Sequence, residues 1–150
     1  MDNGLKTKLI FEISQIDKLL NDSEPLLDLC KLKTPDFIEI SAAALVLHSF
    51  YNGIENMLVL IFKYYDEQLP KSNKWHIELL DKAFISEENR KQIFNNEIQK
   101  TLEEYLKFRH FIRYAYGFKL EWERMEELIK GMENFWIVIK KNINNFIEKN

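Results

Sequence analysis

Glycine and proline are scarce in this 150-residue chain, with 4 and 3 copies. A many-stranded sheet needs more turn residues than that, so the composition favours long helices. A single cysteine, Cys30, excludes an intrachain disulfide and any CxxC metal knuckle. It also makes a reducing cytoplasm the default location. Long apolar runs are missing near the N-terminus. Ala42–Leu47 is far too short to span a membrane, and MDNGLKTKLIFEIS lacks the apolar stretch of a signal peptide. A cytoplasmic protein with no membrane partner is therefore expected. Excess positive charge is missing too. The net charge of −3 gives no general attraction to nucleic acid, so any RNA contact has to come from a local basic patch. No HExxH, Walker loop or GxGxxG occurs. The Glu-x-x-His pattern of carboxylate metal clusters is absent as well. No cofactor or metal is expected.

What is present is a core. A hydrophobic content of 46% and an aromatic content of 13% fit a packed globular protein. The length suits one domain, residues 1–150, able to bury about two thirds of its unfolded surface. Leu5, Leu9, Ile13, Ile16 and Leu20 recur at helical spacing, and Asn21-Asp22-Ser23-Glu24-Pro25 then breaks the pattern. Leu26 to Lys33 is short and ambiguous. Thr34-Pro35-Asp36 reads as a helix start, with Thr34 as cap and Pro35 in the first turn. A long helix follows to about Glu67, and a close neighbour would explain Gly53 inside it. Gln68 to Lys74 is a loop, and WHIELL from Trp75 begins a short helix. Ser86 is placed to cap another segment reaching about Asn95. One helix then runs from about Glu97 to Gly117, and a last one from Leu120 to about Ile147. The expected fold is all-α. It is a four-helix up-and-down bundle with a short-helix insertion between the second and third long helices.

The chain has few arginines, and two of them meet a histidine in FRHFIRYAYGF, residues 108 to 118. On a helix with Arg109 at zero, Arg113 lies about 40° away and Tyr116 about 20° to the other side. His110 and Tyr114 follow at about 100° and 140°, while Phe108, Phe111, Ile112 and Ala115 fall between about 200° and 300°. The apolar wall thus faces one way and the guanidiniums, imidazole and phenols another. Two arginines at i,i+4 suit a phosphate, and an imidazole suits proton transfer near neutral pH. A solvated surface run is the alternative. His48, beside Ser49, reads as a packed core histidine, since a Ser-His-Asp triad has no nucleophile elbow here. His76 reads as part of a short docking helix. Glu55, inside the long apolar helix, either orients a site residue or lies on an exposed polar edge.

The long-helix stretch HSFYNGIENMLVLI, the WHIELL segment and EYLKFRHFIRYAYGFKLEWERMEEL together resemble the HEPN superfamily, and within it the HepT-like ribonuclease toxins. FRHFIRYAYGF is the most specific part. The resemblance implies an all-α bundle that forms a homodimer and a metal-independent endoribonuclease acting on an RNA substrate. It also implies neutralisation by a nucleotidyltransferase antitoxin. The HepT-like motif is Arg, four residues, His, one residue, Tyr. Arg109 matches its arginine. Tyr116 matches its tyrosine, the residue that the antitoxin modifies with AMP in some systems. Tyr114 stands where the motif histidine belongs.

Two readings follow. In the first, Arg109 and Arg113 bind the scissile phosphate, Tyr116 helps bind RNA, and His110 is the remaining proton carrier beside Tyr114. In the second, the replaced histidine leaves a catalytically silent HEPN domain that acts as an RNA- or protein-binding module.

Overall fold

The computed structural model describes residues 1–65, 67–114, 116 and 119–150, without the side chain of Arg113. Helix α1, Asn3–Asp22, starts where the Asp2 carboxylate accepts the Leu5 backbone N–H at 2.9 Å. Its buried residues are Leu5, Leu9, Ile13, Ile16 and Leu20, the stripe read from the sequence. The break after it is only Ser23, because Pro25 fits the first turn of α2, Glu24–Leu32, where its missing N–H has no partner to lose.

Helix α3, Phe37–Tyr64, begins two residues later than Thr34 and Pro35 suggest. Asp36 is its cap, and a reciprocal pair of 2.9 Å bonds with Glu39 satisfies two otherwise unpaired donors. This helix is long and apolar enough to cross a membrane, yet 61% of its apolar window is buried inside the molecule. Helix α1 lies antiparallel along it. The Asp2 backbone N–H donates to the Tyr64 hydroxyl at one end, and Ile16 meets Gly53 further along. A Cβ on Gly53 would stand 2.7 Å from Ile16 Cγ1, so the close neighbour expected at this glycine is α1.

After α4, Trp75–Lys82, the expected Ser86-capped helix does not form. Residues 83–95 are turns with an isolated bridge between Glu87 and Arg90. Ser86 Oγ instead accepts the Gln92 N–H at 3.0 Å. The cause is Arg90, whose buried guanidinium takes the carbonyls of Lys82, Ile85 and Lys91. A short 3₁₀ turn, Asn96–Ile98, leads into α5, Gln99–Tyr114. The helix end expected at Gly117 lies outside the described residues. Helix α6, Trp122–Lys149, folds back on α5, with Arg124 over the Phe111 ring and the Tyr105 hydroxyl donating to the Leu128 carbonyl at 2.7 Å.

The long helices α1, α3, α5 and α6 form the bundle, and α4 with the turns after it forms the insertion between the second and third of them. No strand occurs among the described residues. Phe50 of α3 marks the centre. It is fully buried, with the Tyr105 ring 5.3 Å away and the Trp136 ring 6.1 Å away edge-on. Trp136 keeps its indole N–H satisfied by donating to Asp17 on α1 at 2.7 Å.

Candidate functional site

Helix α3 carries a polar stripe beside its core stripe. His48, Asn52 and Glu55 are spaced four and three apart, one residue round the helix from Leu47, Tyr51 and Ile54. The register places them at the edge of the core rather than in solvent. Glu55 is 5% exposed. A carboxylate that deep needs partners, and two other elements supply them.

From α4, His76 Nδ1 lies 2.7 Å from Glu55 Oε2, a short bond that fixes the proton on Nδ1 when the imidazole is neutral. From α5, Arg109 brings Nη2 to 3.7 Å from Glu55 Oε1. Arg109 Nε also donates to Asn52 Oδ1 at 2.8 Å. That bond sets the Asn52 amide, so its Nδ2 faces His48 Nε2 at 3.1 Å and makes that nitrogen the acceptor. Arg109 Nη1 stands 3.4 and 3.3 Å from the two nitrogens of the His76 ring. An in-plane position equidistant from both would collide with Cε1, so the guanidinium lies over the ring face. The Trp75 ring is 3.5 Å from the imidazole, centre to centre. A ring and a guanidinium at these distances cannot share one face, so the imidazole is held between them.

The side chains of His76 and Arg109 are each 12% exposed, so both present only an edge to water. Tyr51 is buried nearby, and its hydroxyl has no hydrogen-bond partner among the described residues. Burial pushes this phenol well above its usual range. The charge of Glu55 adds to the shift and that of Arg109 opposes it. On its other side Asn52 lines a groove of about 570 Å³ between α1 and α3, together with Gln15, Ser49 and Asn56. Among the described residues, no group of three or more His, Cys, Asp and Glu side chains is placed to hold a metal ion.

Of the residues singled out in FRHFIRYAYGF, Arg109 enters this network. His110 does not. It lies on the exposed face of α5 with its ring 5.2 Å from that of Tyr114, which is 71% exposed. Tyr116 is 70% exposed. The side chain of Arg113, expected next to Arg109, lies outside the described residues. The helical wheel put these side chains together on one face, whereas the structure draws Arg109 inward and leaves His110, Tyr114 and Tyr116 exposed. The other four members of the network come from elsewhere in the chain: Asn52, Glu55 and His76 meet Arg109, and His48 stands behind Asn52. The signal for the first three was the spacing of polar residues flanking an apolar stripe. Nothing local marks His76, because α4 meets Arg109 only in three dimensions.

A family model described as HepT-like protein matches residues 42–150. No curated protein and no solved structure matches the chain significantly. The matched span starts within α3 and includes every member of the network, from His48 to Arg109. With its all-α bundle and this match over most of its length, the protein belongs to the HepT-like family of the HEPN superfamily.

Proposed function

We propose that the chain is the metal-independent endoribonuclease toxin of a HepT-like toxin–antitoxin pair, acting in the cytoplasm as a homodimer. The observation that carries this reading is the setting of Arg109. Its guanidinium is bonded to Asn52, ion-paired with Glu55 and laid on His76, so its direction is fixed before any ligand arrives. A fixed arginine is what a phosphodiester transition state needs, because the charge on the equatorial oxygens grows as the 2′-oxygen attacks. The bond to phosphorus forms from the ribose 2′-oxygen, and the P–O5′ bond breaks. The products are a 2′,3′-cyclic phosphate and a 5′-hydroxyl, so RNA is cut and DNA is spared. The nucleotidyltransferase antitoxin is the partner that the family resemblance supplies. The exposure of Tyr116 suits a hydroxyl that such an enzyme modifies with AMP.

The test is cleavage of single-stranded RNA in EDTA. Arg109→Ala is expected to lower the rate by roughly 10²–10³-fold, the usual effect of losing one oxyanion-stabilising donor. An undiminished rate in that variant contradicts the assigned role. A second reading, a catalytically silent RNA- or protein-binding module, is favoured by one observation. Tyr114 occupies the motif histidine's position and points into solvent beside His110. It expects no cleavage by the wild type and a gain of cleavage in Tyr114→His.

A further inference from the structure

We propose that His76, held by Glu55, is the imidazole that moves the proton in this site, in place of the histidine that Tyr114 displaces. The inference rests on the ribonuclease reading above. Phenols are seldom the proton carriers of such steps, whereas imidazoles commonly are. The network supplies an imidazole from another helix. His76 touches the Arg109 guanidinium, the group that would hold the phosphate, whereas His110 lies on the exposed face of α5 beside Tyr114. Proton transfer and phosphate binding have to occur within one substrate's reach, and His76 meets that condition.

Glu55 gives the ring its chemistry. A carboxylate on Nδ1 orients the imidazole, selects the Nδ1–H tautomer and leaves Nε2 as the basic nitrogen. It also offsets the positive charge that appears when Nε2 takes a proton, and does so from a buried position where charges act strongly. Arg109 on one face and Trp75 on the other prevent the ring from turning. In the step, the 2′-hydroxyl proton passes to His76 Nε2 and the 2′-oxygen bonds to phosphorus. The leaving 5′-oxygen departs with a proton from the imidazolium, which returns His76 to its starting state. His76 is thus the catalytic residue of the pair and Glu55 its positioning residue.

The experiment combines kinetics and ¹⁵N NMR on the full chain. The probes are a short single-stranded RNA for cleavage and its 2′-O-methyl copy for binding. His76→Gln is expected to lower kcat by roughly 10²–10⁴-fold, the range for removal of a general acid–base, with KM and affinity for the 2′-O-methyl copy unchanged. Glu55→Gln is expected to lower kcat less and to shift the His76 tautomer away from Nδ1–H, with Glu55→Asp restoring part of both. Circular dichroism of each variant checks the fold. Wild-type rates in His76→Gln overturn the inference while leaving the ribonuclease reading intact. So does an Nε2–H tautomer in the wild type, or a loss confined to His110→Gln. If the wild type cuts no RNA under any condition in which Tyr114→His does, the ribonuclease reading itself falls and the role of His76 falls with it.

Discussion

Arg90 is a charged side chain with no exposed surface, and all five of its N–H donors are used. Nε and Nη2 donate to the two oxygens of Glu67, and the remaining bonds go to the carbonyls of Lys82, Ile85 and Lys91. The Phe62 ring lies 4.9 Å below the guanidinium. A lysine has three donors and no planar fork, so Arg90→Lys cannot reproduce this set. Arg90→Met leaves the half-buried Glu67 without its main partner and is expected to destabilise the fold by about 3 kcal/mol, read by urea denaturation. A loss below about 0.5 kcal/mol, the usual limit for surface changes, contradicts that role. Gly53 makes the opposite kind of case. Its lack of a Cβ is what lets Ile16 approach, so Gly53→Ala gains helix propensity but forces α1 outward. The expected net effect is destabilising, by about 1–3 kcal/mol for overpacking. Gly53→Ala combined with Ile16→Val is expected to recover part of the loss. A stabilised Gly53→Ala contradicts the close packing.

Elements show how far sequence reaches. The stripe of α1 was legible because it buries one face against a neighbour that the pattern does not need to identify. The insertion was not. Ser86 looks like a cap, but Arg90, which would lie in the first turns of that helix, is instead buried and takes the Lys91 carbonyl that the helix would need, so a tertiary bond set overrode local preference. The site was half legible. Arg109 was found because arginine and histidine cluster in its stretch, and its exposed neighbours were found with it. Glu55 was left between two readings because period alone cannot tell a buried partner from a solvent edge. His76 was read only as part of a docking segment, since its contact with Arg109 spans helices α4 and α5. At the start of α3 the Asp36–Glu39 box is open to a direct test. Asp36→Ala is expected to cost about 1 kcal/mol in equilibrium denaturation, and Asp36→Ser much less. Equal losses for both would contradict the capping role.

For the whole molecule, acid stability follows from carboxylates that join distant elements. Burial alone would raise the Glu67 carboxyl, but hydrogen bonds and charge from Arg90 and then Lys82 outweigh it and hold it below its ordinary range. Asp17 is similar, with burial opposed by Lys140 and Trp136 across the α1–α6 contact. A depressed folded-state value means that this stability is fully present above the unfolded value, 4.5 for Glu67, and is lost as pH falls through the lower folded one. Glu67→Gln is therefore expected to be less stable than the wild type at pH 7, and its melting temperature is expected to fall less on acidification. Parallel acid limbs in the two proteins contradict this. Assembly enters at the same scale. Phe108 is buried in the core while Tyr114 and Tyr116 are largely exposed in one copy. Two copies meeting there would bring two Arg109 sites together, and an isologous contact is the economical way to do so. Sedimentation at micromolar concentration is expected to give twice the 18.1 kDa chain mass, and a strict monomer contradicts the paired site. The proposed ribonuclease stands on Arg109, set by Asn52, Glu55 and His76. The most direct measurement is the RNA cleavage rate of the purified protein in EDTA, wild type beside Arg109→Ala. Cleavage that the variant loses by roughly 10²–10³-fold is expected, and equal rates in the two proteins would contradict the role of Arg109.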